Sequence, residues 1–445
     1  MNNFGKTVCK IAIPVTFQSM LQSSFSIIDQ LMIGQLGENS IAAVGLGGNF
    51  MLIFSVVIGA IGTVAGILIS QFIGADDERE AWRGFTVSNL FGIAVAMIFM
   101  LASFCFANSI LGLYTTDAET IIIGTPYLRI LSFTFIPMAI STVVATWLRC
   151  NEHATIPLVS SIVAVICNTV LNYIFIFGKL GLNALGAKGA GYATAISQML
   201  NLLFMLAGFV YCLQKEKKNI LFSIQMEKIS MAEYMIMIMP ILISEFLWSL
   251  GQNINSAVYG HIGTDSLAAY TLTCPIQGLF VGALSGLSAA AGVIIGKELG
   301  QKEYDGAYKD SKKLMWLGAA GSAVLSLVLI VASGLYVSFY QVAADVKSVA
   351  QLLLIVFAIY APVKVINMIL GGGIIRSGGN TKIIMIIDIV GTWLVGIPLC
   401  LFAAYVLKLS IVPVYAILSV EEIVRLVITR VMFKKKTWMR TIGES

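Results

Sequence analysis

The chain has 445 residues, of which 58% are hydrophobic and 11% charged, and its mean hydropathy is +0.90. An ordinary soluble domain carries roughly 25% charged residues, and a fold this long with so few cannot clothe its outside for water. That excludes a soluble enzyme, a nucleic-acid binder and a disordered scaffold, and it leaves the net charge of +5 to be explained by its distribution.

A membrane-crossing helix needs about 20 mostly apolar residues. Twelve such blocks follow one another: 11–34, 44–72, 85–111, 125–147, 156–178, 188–213, 233–258, 266–295, 313–340, 349–373, 383–406 and 410–431. They are too long and too evenly apolar for barrel strands, which alternate over about ten residues. The expected fold class is therefore an all-α polytopic membrane protein. The first block carries Gln18, Gln22, Ser26 and Asp29, spaced four, four and three, which puts them on one helical face. The fifth holds Asn168 and Asn172 one turn apart, and the sixth holds Thr194, Gln198 and Asn201 on one stripe. The polar stretch 214–232 reads as a cytoplasmic linker between an N-terminal lobe, 1–213, and a C-terminal lobe, 233–431, with 432–445 as a basic tail.

The seventh block repeats the device of the first: Glu245, Trp248, Gln252, Asn255 and Tyr259 share a face. The eleventh has Asp388 with Thr392, and the twelfth has Glu421 and Arg425 at i, i+4, a spacing that suits an ion pair. Lys364 lies in mid-span with no partner that the sequence names. An ionisable group in a span costs about 2.5–3.5 kcal/mol on insertion scales, so these groups are expected to face a cavity or one another. Amides and hydroxyls have a blander use, holding helices together at about 0.6 kcal/mol per bond. The acidic run Asp76–Glu80 reads as a solvated loop.

The two halves are related. A shift of 226 residues lays Pro14 on Pro240, Gly34 on Gly260, Gly37 on Gly263, Ser40 on Ser266, Gly66 on Gly292 and Gly74 on Gly300. It also lays Asp29 on Asn255, so the two polar faces correspond. A shift of 227 lays Arg149 on Arg376. Six spans per half bring both halves into the bilayer from the same side, as parallel repeats with a central cleft between two six-helix bundles. Of the 28 Lys and Arg, 21 fall in loops and ends on one side and four (Lys179, Lys188, Lys347, Lys408) on the other. The basic side is expected to be cytoplasmic, with both termini there. Seven scattered cysteines and two histidines offer no metal-ligand spacing, so no metal and no cofactor are expected.

In these residues the chain resembles the multidrug and toxic compound extrusion (MATE) family over nearly its whole length. The likeness is carried by Ile28-Asp29 leading to Ile33–Gly37, by Ser70–Ala75, by Asn168–Ile176 and by Gly189–Thr194. The loop Arg376–Lys382 is similar to the family's Arg-Gly-x-Gly-Asp-Thr-Lys. The resemblance implies a two-lobed, V-shaped antiporter in the plasma membrane, exporting cationic, amphipathic small molecules against H+ or Na+, as a monomer and without nucleic-acid partners. It further implies that Asp29, Asn168, Asn172 and Thr194 form a cation-coupling network. Asn172 stands where proton-coupled members have an Asp, which leaves one titrating carboxyl there. Gln18, Gln22, Ser26, Glu245, Trp248, Gln252, Asn255, Tyr259 and Asp388 are then the expected substrate or ion cavity. Glu245 resembles the seventh-span acid of sodium-coupled members, about one turn nearer Pro240.

Three other readings compete. A lipid-linked saccharide flippase of the same superfamily wants a cationic cavity, whereas the spans hold five acids (Asp29, Glu245, Asp388, Glu421, Glu422) against three bases (Arg129, Lys364, Arg425). A major-facilitator transporter wants a basic loop after the second span, and that loop is acidic here. An intramembrane enzyme wants a converging nucleophile and base, and the spacing offers none.

Overall fold

A computed structural model describes residues 3–217, 229–340 and 342–443, apart from the side chains of residues 3, 25–28, 30, 31 and 38. Among the described residues every regular element is helical. In chain order they are α1 (Asn3–Ile33), α2 (Glu38–Gly74), α3 (Glu78–Gly112), α4 (Ala118–Cys150), α5 (Thr155–Phe177), α6 (Ala187–Glu216), α7 (Met231–Ile262), α8 (Thr264–Gly300), α9 (Tyr304–Ser338), α10 (Ala344–Ile375), α11 (Thr381–Val406), α12 (Ile411–Leu418) and α13 (Val420–Lys435). Ten of them are long and apolar enough to cross a membrane. The other two of the twelve spans are α1 and the pair α12–α13, which is interrupted at Ser419.

Sequence chemistry explains the boundaries. Asp77 accepts the Glu80 backbone N–H at 3.1 Å and so caps α3. The acidic run is therefore a helix start rather than a solvated loop, and Glu80 is buried against Arg83 at 2.5 Å. Ser230 and Glu233 close a capping box on α7. Pro137 cannot donate to the ladder of α4, and the chain tightens to a 3-10 turn at Ser132–Thr134 just before it. The hydroxyls of Ser132 and Thr134 cover the carbonyls of Arg129 and Leu131 there, at 2.6 and 2.7 Å.

The helix starts carry the repeat. Glu38 and Thr264, Glu78 and Tyr304, Ala118 and Ala344, and Thr155 and Thr381 begin corresponding helices, each pair 226 residues apart. The change to 227 at Arg149 and Arg376 has a local cause. Met368–Ile375 is a π-helical turn, which absorbs one extra residue. The loop that follows is one residue shorter than its counterpart, 378–380 against 151–154, and the register returns.

The chain packs as two units. One comprises Ile13–Ile69 and Asp77–Glu227. Its interior is aromatic, with Phe54 on Phe135 at 4.5 Å and Trp82 on Trp147 at 4.1 Å between ring centroids. The other comprises Met1–Ala12, Ser70–Asp76 and Lys228–Ser445. In it α9 buries a stripe of small residues, Ser311, Gly318, Ser322, Ser326 and Ser333, as close-packed membrane helices do. Its opposite face leaves Leu327, Val331 and Leu335 exposed, a surface that only lipid tolerates. In the same unit the last turn of α2 crosses the last turn of α8. A Cβ on Gly74 would stand 2.1 Å from the Lys297 carbonyl oxygen, and one on Gly300 would stand 1.9 Å from that of Gln71. Gln71 also fastens the tail, donating to the carbonyls of Ser377 (2.6 Å) and Arg440 (3.2 Å) and accepting from the Ile442 N–H (2.8 Å).

Candidate functional site

Asp29 lies near the C-terminal end of α1 and accepts a hydrogen bond from Asn172 Nδ2 on α5. The same amide nitrogen donates to Asn168 Oδ1, one turn earlier, at 2.8 Å. Asn168 Nδ2 in turn reaches Thr194 Oγ1 at 3.3 Å and Ser197 Oγ at 3.2 Å on α6. The i, i+4 spacing of the two asparagines makes this chain possible, because it stacks both amides on the face of α5 turned toward α1 and α6. Asn168 and Asn172 are both buried. The apolar residues one turn from each polar one, Ile33, Ile176 and Ala190, form a buried cluster with Tyr127 and Leu131 beside the network.

Turned the other way, the Asn168 amide would donate to Asp29 Oδ1 at 3.2 Å and accept from Thr194 N and Ser197 Oγ, each at 3.2 Å, but its nitrogen would face Asn172 Nδ2 at 2.8 Å, donor against donor. Asn172 Oδ1 is buried with no hydrogen-bond partner as the amides stand. The network thus holds one spare acceptor next to a carboxyl that can gain a proton and become a donor.

In the other unit a cavity of about 380 Å³ is lined by Glu245 and Trp248 of α7, by Lys364 and Arg376, and by Asp388, Glu422 and Arg425. Ser244 Oγ donates to Asp388 Oδ2. Arg425 donates to Thr392 Oγ1 and lies 3.7 Å from Asp388 and 3.8 Å from Glu421. Asn367 Nδ2 donates to Glu422 Oε2 at 2.9 Å. Two π-helical turns shape the walls, Met368–Ile375 and Val390–Gly396. The first loosens the carbonyl of Met368, which Ser288 Oγ covers at 2.9 Å. The second brings Gly391 under Arg425, where a Cβ would stand 2.2 Å from Nε, and Gly396 under Glu421.

The expected residues divide. Asp29, Asn168, Asn172 and Thr194 come together, and Glu245, Trp248 and Asp388 share the cavity. Gln18 does not join the Asp29 network. It is buried, donating to Ser161 Oγ at 2.8 Å and accepting from Arg149 Nη2 at 2.9 Å. Gln22 is exposed, and the side chain of Ser26 lies outside the described residues. Gln252 is half-buried. Asn255 and Tyr259 are buried and do not line the cavity; Tyr270 of α8 and Tyr415 of α12 pack on the Tyr259 ring, at 4.8 and 6.5 Å. The balance of charge also differs from the acid-rich one expected. Arg376, assigned to a loop by sequence, lines the cavity from the end of α10 and joins Lys364 and Arg425 there. Sequence reading did not single out Ser161, Ser197 and Ser244. A hint existed for Ser244, since the 226 shift lays Gln18 on it, and both side chains tie the first span of a half to its fifth.

A sequence model of the MatE family matches residues 14–174 and 240–402. The chain belongs to the MatE family. The two matched stretches begin 226 residues apart, at the prolines already paired by the repeat. Among the curated relatives of this MatE chain is "Uncharacterized transporter YisQ" of Bacillus subtilis, 22% identical and covering 96% of this chain and 93% of its own. "Probable multidrug resistance protein YoeA" of the same organism is 24% identical, covering 91% and 88%. Among solved structures, the MATE transporter VcmN of Vibrio cholerae in its bent form aligns with a TM-score of 0.86 at 19% identity, over 97% of this chain and 96% of that one. The protein is accordingly a multi-pass membrane transporter of the MatE family, a family that moves small molecules.

Proposed function

We propose that the protein is a secondary exporter in the plasma membrane, moving cationic, amphipathic small molecules out of the cell against inward H+. Both termini and the linker 214–232 are cytoplasmic in this reading, and a single chain is the working unit. The observation that carries it is the Asp29–Asn172–Asn168 chain, a lone carboxyl in the first six spans whose hydrogen bonds depend on its charge. Ionised, Asp29 accepts from Asn172. Protonated, it loses the charge-assisted bond, worth about 1.5–3 kcal/mol, and becomes a donor beside the unpartnered Asn172 oxygen. A difference of that size between protonation states shifts a two-state equilibrium between inward-open and outward-open forms roughly tenfold to a hundredfold. Glu245 and Asp388, in the cavity of the other unit, would hold the substrate's cationic group.

The test is efflux from proteoliposomes under an imposed pH gradient or an imposed sodium gradient, applied separately. Asp29→Asn should keep substrate binding but abolish transport driven by the pH gradient. Uphill transport by that variant with wild-type pH dependence, or transport driven by sodium alone, would overturn proton coupling at Asp29.

A further inference from the structure

A groove of about 490 Å³ is bounded by α9, α10 and α13, the last two also walling the polar cavity from their other faces. Its wall is apolar, with Met315, Ile366, Leu370 and Leu426. Its only charged lining residues are Lys312, Arg430 and Lys434, all cations. Tyr308 and Phe433 stack at 4.8 Å at this end, and Lys312 Nζ stands 4.3 Å over the Tyr308 ring. Two of the nearby carboxylates face other lysines, Asp310 at 2.6 Å from Lys313 and Asp305 at 3.9 Å from Lys436. Among the described residues none of the three rim cations is ion-paired.

The groove also sits where both bounding helices change character. α9 is polar over 304–313 and apolar from Leu314, and on α13 the apolar run Leu426–Ile428 is followed by Arg430 and by Lys434 and Lys435 at the helix end. Trp316, Leu317, Val427 and Val431 beside it are exposed apolar residues, and an exposed Trp at such a boundary is typical of the bilayer interface. A soluble anion would use the cations and leave the apolar wall idle. A two-chain amphiphile with a phosphate uses both.

We propose that this groove binds an anionic phospholipid, its phosphate held by Lys312, Arg430 and Lys434 and an acyl chain laid along the wall toward Trp316. The groove shares no lining residue with the polar cavity or the Asp29 network. The experiment uses the full-length protein in nanodiscs of phosphatidylcholine with phosphatidylglycerol titrated in, read by native mass spectrometry and by thermal unfolding. Wild type should retain phosphatidylglycerol selectively and unfold at a higher temperature with it. Combining Lys312→Ala, Arg430→Ala and Lys434→Ala should weaken that binding by roughly a hundredfold. The charge-keeping set Lys312→Arg, Arg430→Lys and Lys434→Arg should retain it, as should Lys408→Ala in the loop after α11. Equal retention of the two lipids by wild type would overturn the proposal. So would an alanine variant that folds and keeps its selectivity, or inorganic phosphate alone reproducing the whole stabilisation.

Discussion

At the scale of single residues, Asn172 decides how the N-terminal network can titrate. A second carboxyl at its place would share a proton with Asp29 in a site where two adjacent negative charges are costly, and the two would titrate as a coupled pair. Asn172 donates to Asp29 and cannot ionise, so the proposed coupling rests on Asp29 as a single titrating group. Asn172→Asp should therefore convert a one-step pH dependence of efflux into a two-step one, measured as initial rate against pH in proteoliposomes. An unchanged single step would show that residue 172 does not communicate with Asp29. The spacing of Asn168 and Asn172 was legible in the sequence because i, i+4 fixes a face. The seryl partners were not, because a serine in a span hydrogen-bonds to its own helix as readily as to a neighbour, as Ser103 does to Phe99.

At the scale of elements, the crossing of α2 and α8 depends on the absence of side chains at symmetry-related positions. Gly74 and Gly300 are partners under the 226 shift, and each would drive a Cβ into the backbone of the other helix. Backbone cannot retreat as a side chain can, so the helix ends must part or the chain must lose stability. Gly300→Val should lower stability by about 1–3 kcal/mol, seen in thermal unfolding. It should also raise hydrogen exchange in the last turn of α2 and in the tail that Gln71 holds. Unchanged unfolding and exchange would mean that this crossing is not a tight one. The ungapped run of glycines already pointed to the repeat, but only the helix ends explain why Gly74 and Gly300 are needed. The π-turn of α10 left one trace in the sequence, the change of shift from 226 to 227, and length alone cannot say whether an added residue enters a loop or a helix.

At the scale of the whole molecule, apolar block length gave the spans, since each must match the bilayer. Where a block is broken, as at Ser419, the sequence shows one span and the structure two helices. The polar faces were legible as faces. What they look at was not, since a helical period says which residues align and nothing about which neighbour covers them, and Tyr270 and Tyr415 pack on Tyr259. Orientation is the whole-molecule property that sequence argues most directly. Lys217 closes α6 in a stretch with Lys215, while Lys347 stands in the first turns of α10 on the side that holds four cations against 21. Cytoplasmic loops retain Lys and Arg during insertion, and this asymmetry is the argument for the proposed topology. With the seven native cysteines replaced, Lys347→Cys should react in intact cells with a membrane-impermeant maleimide, and Lys217→Cys should react only after permeabilisation. Reaction at 217 and protection at 347 would invert the topology and, with it, the direction in which protonation of Asp29 drives export.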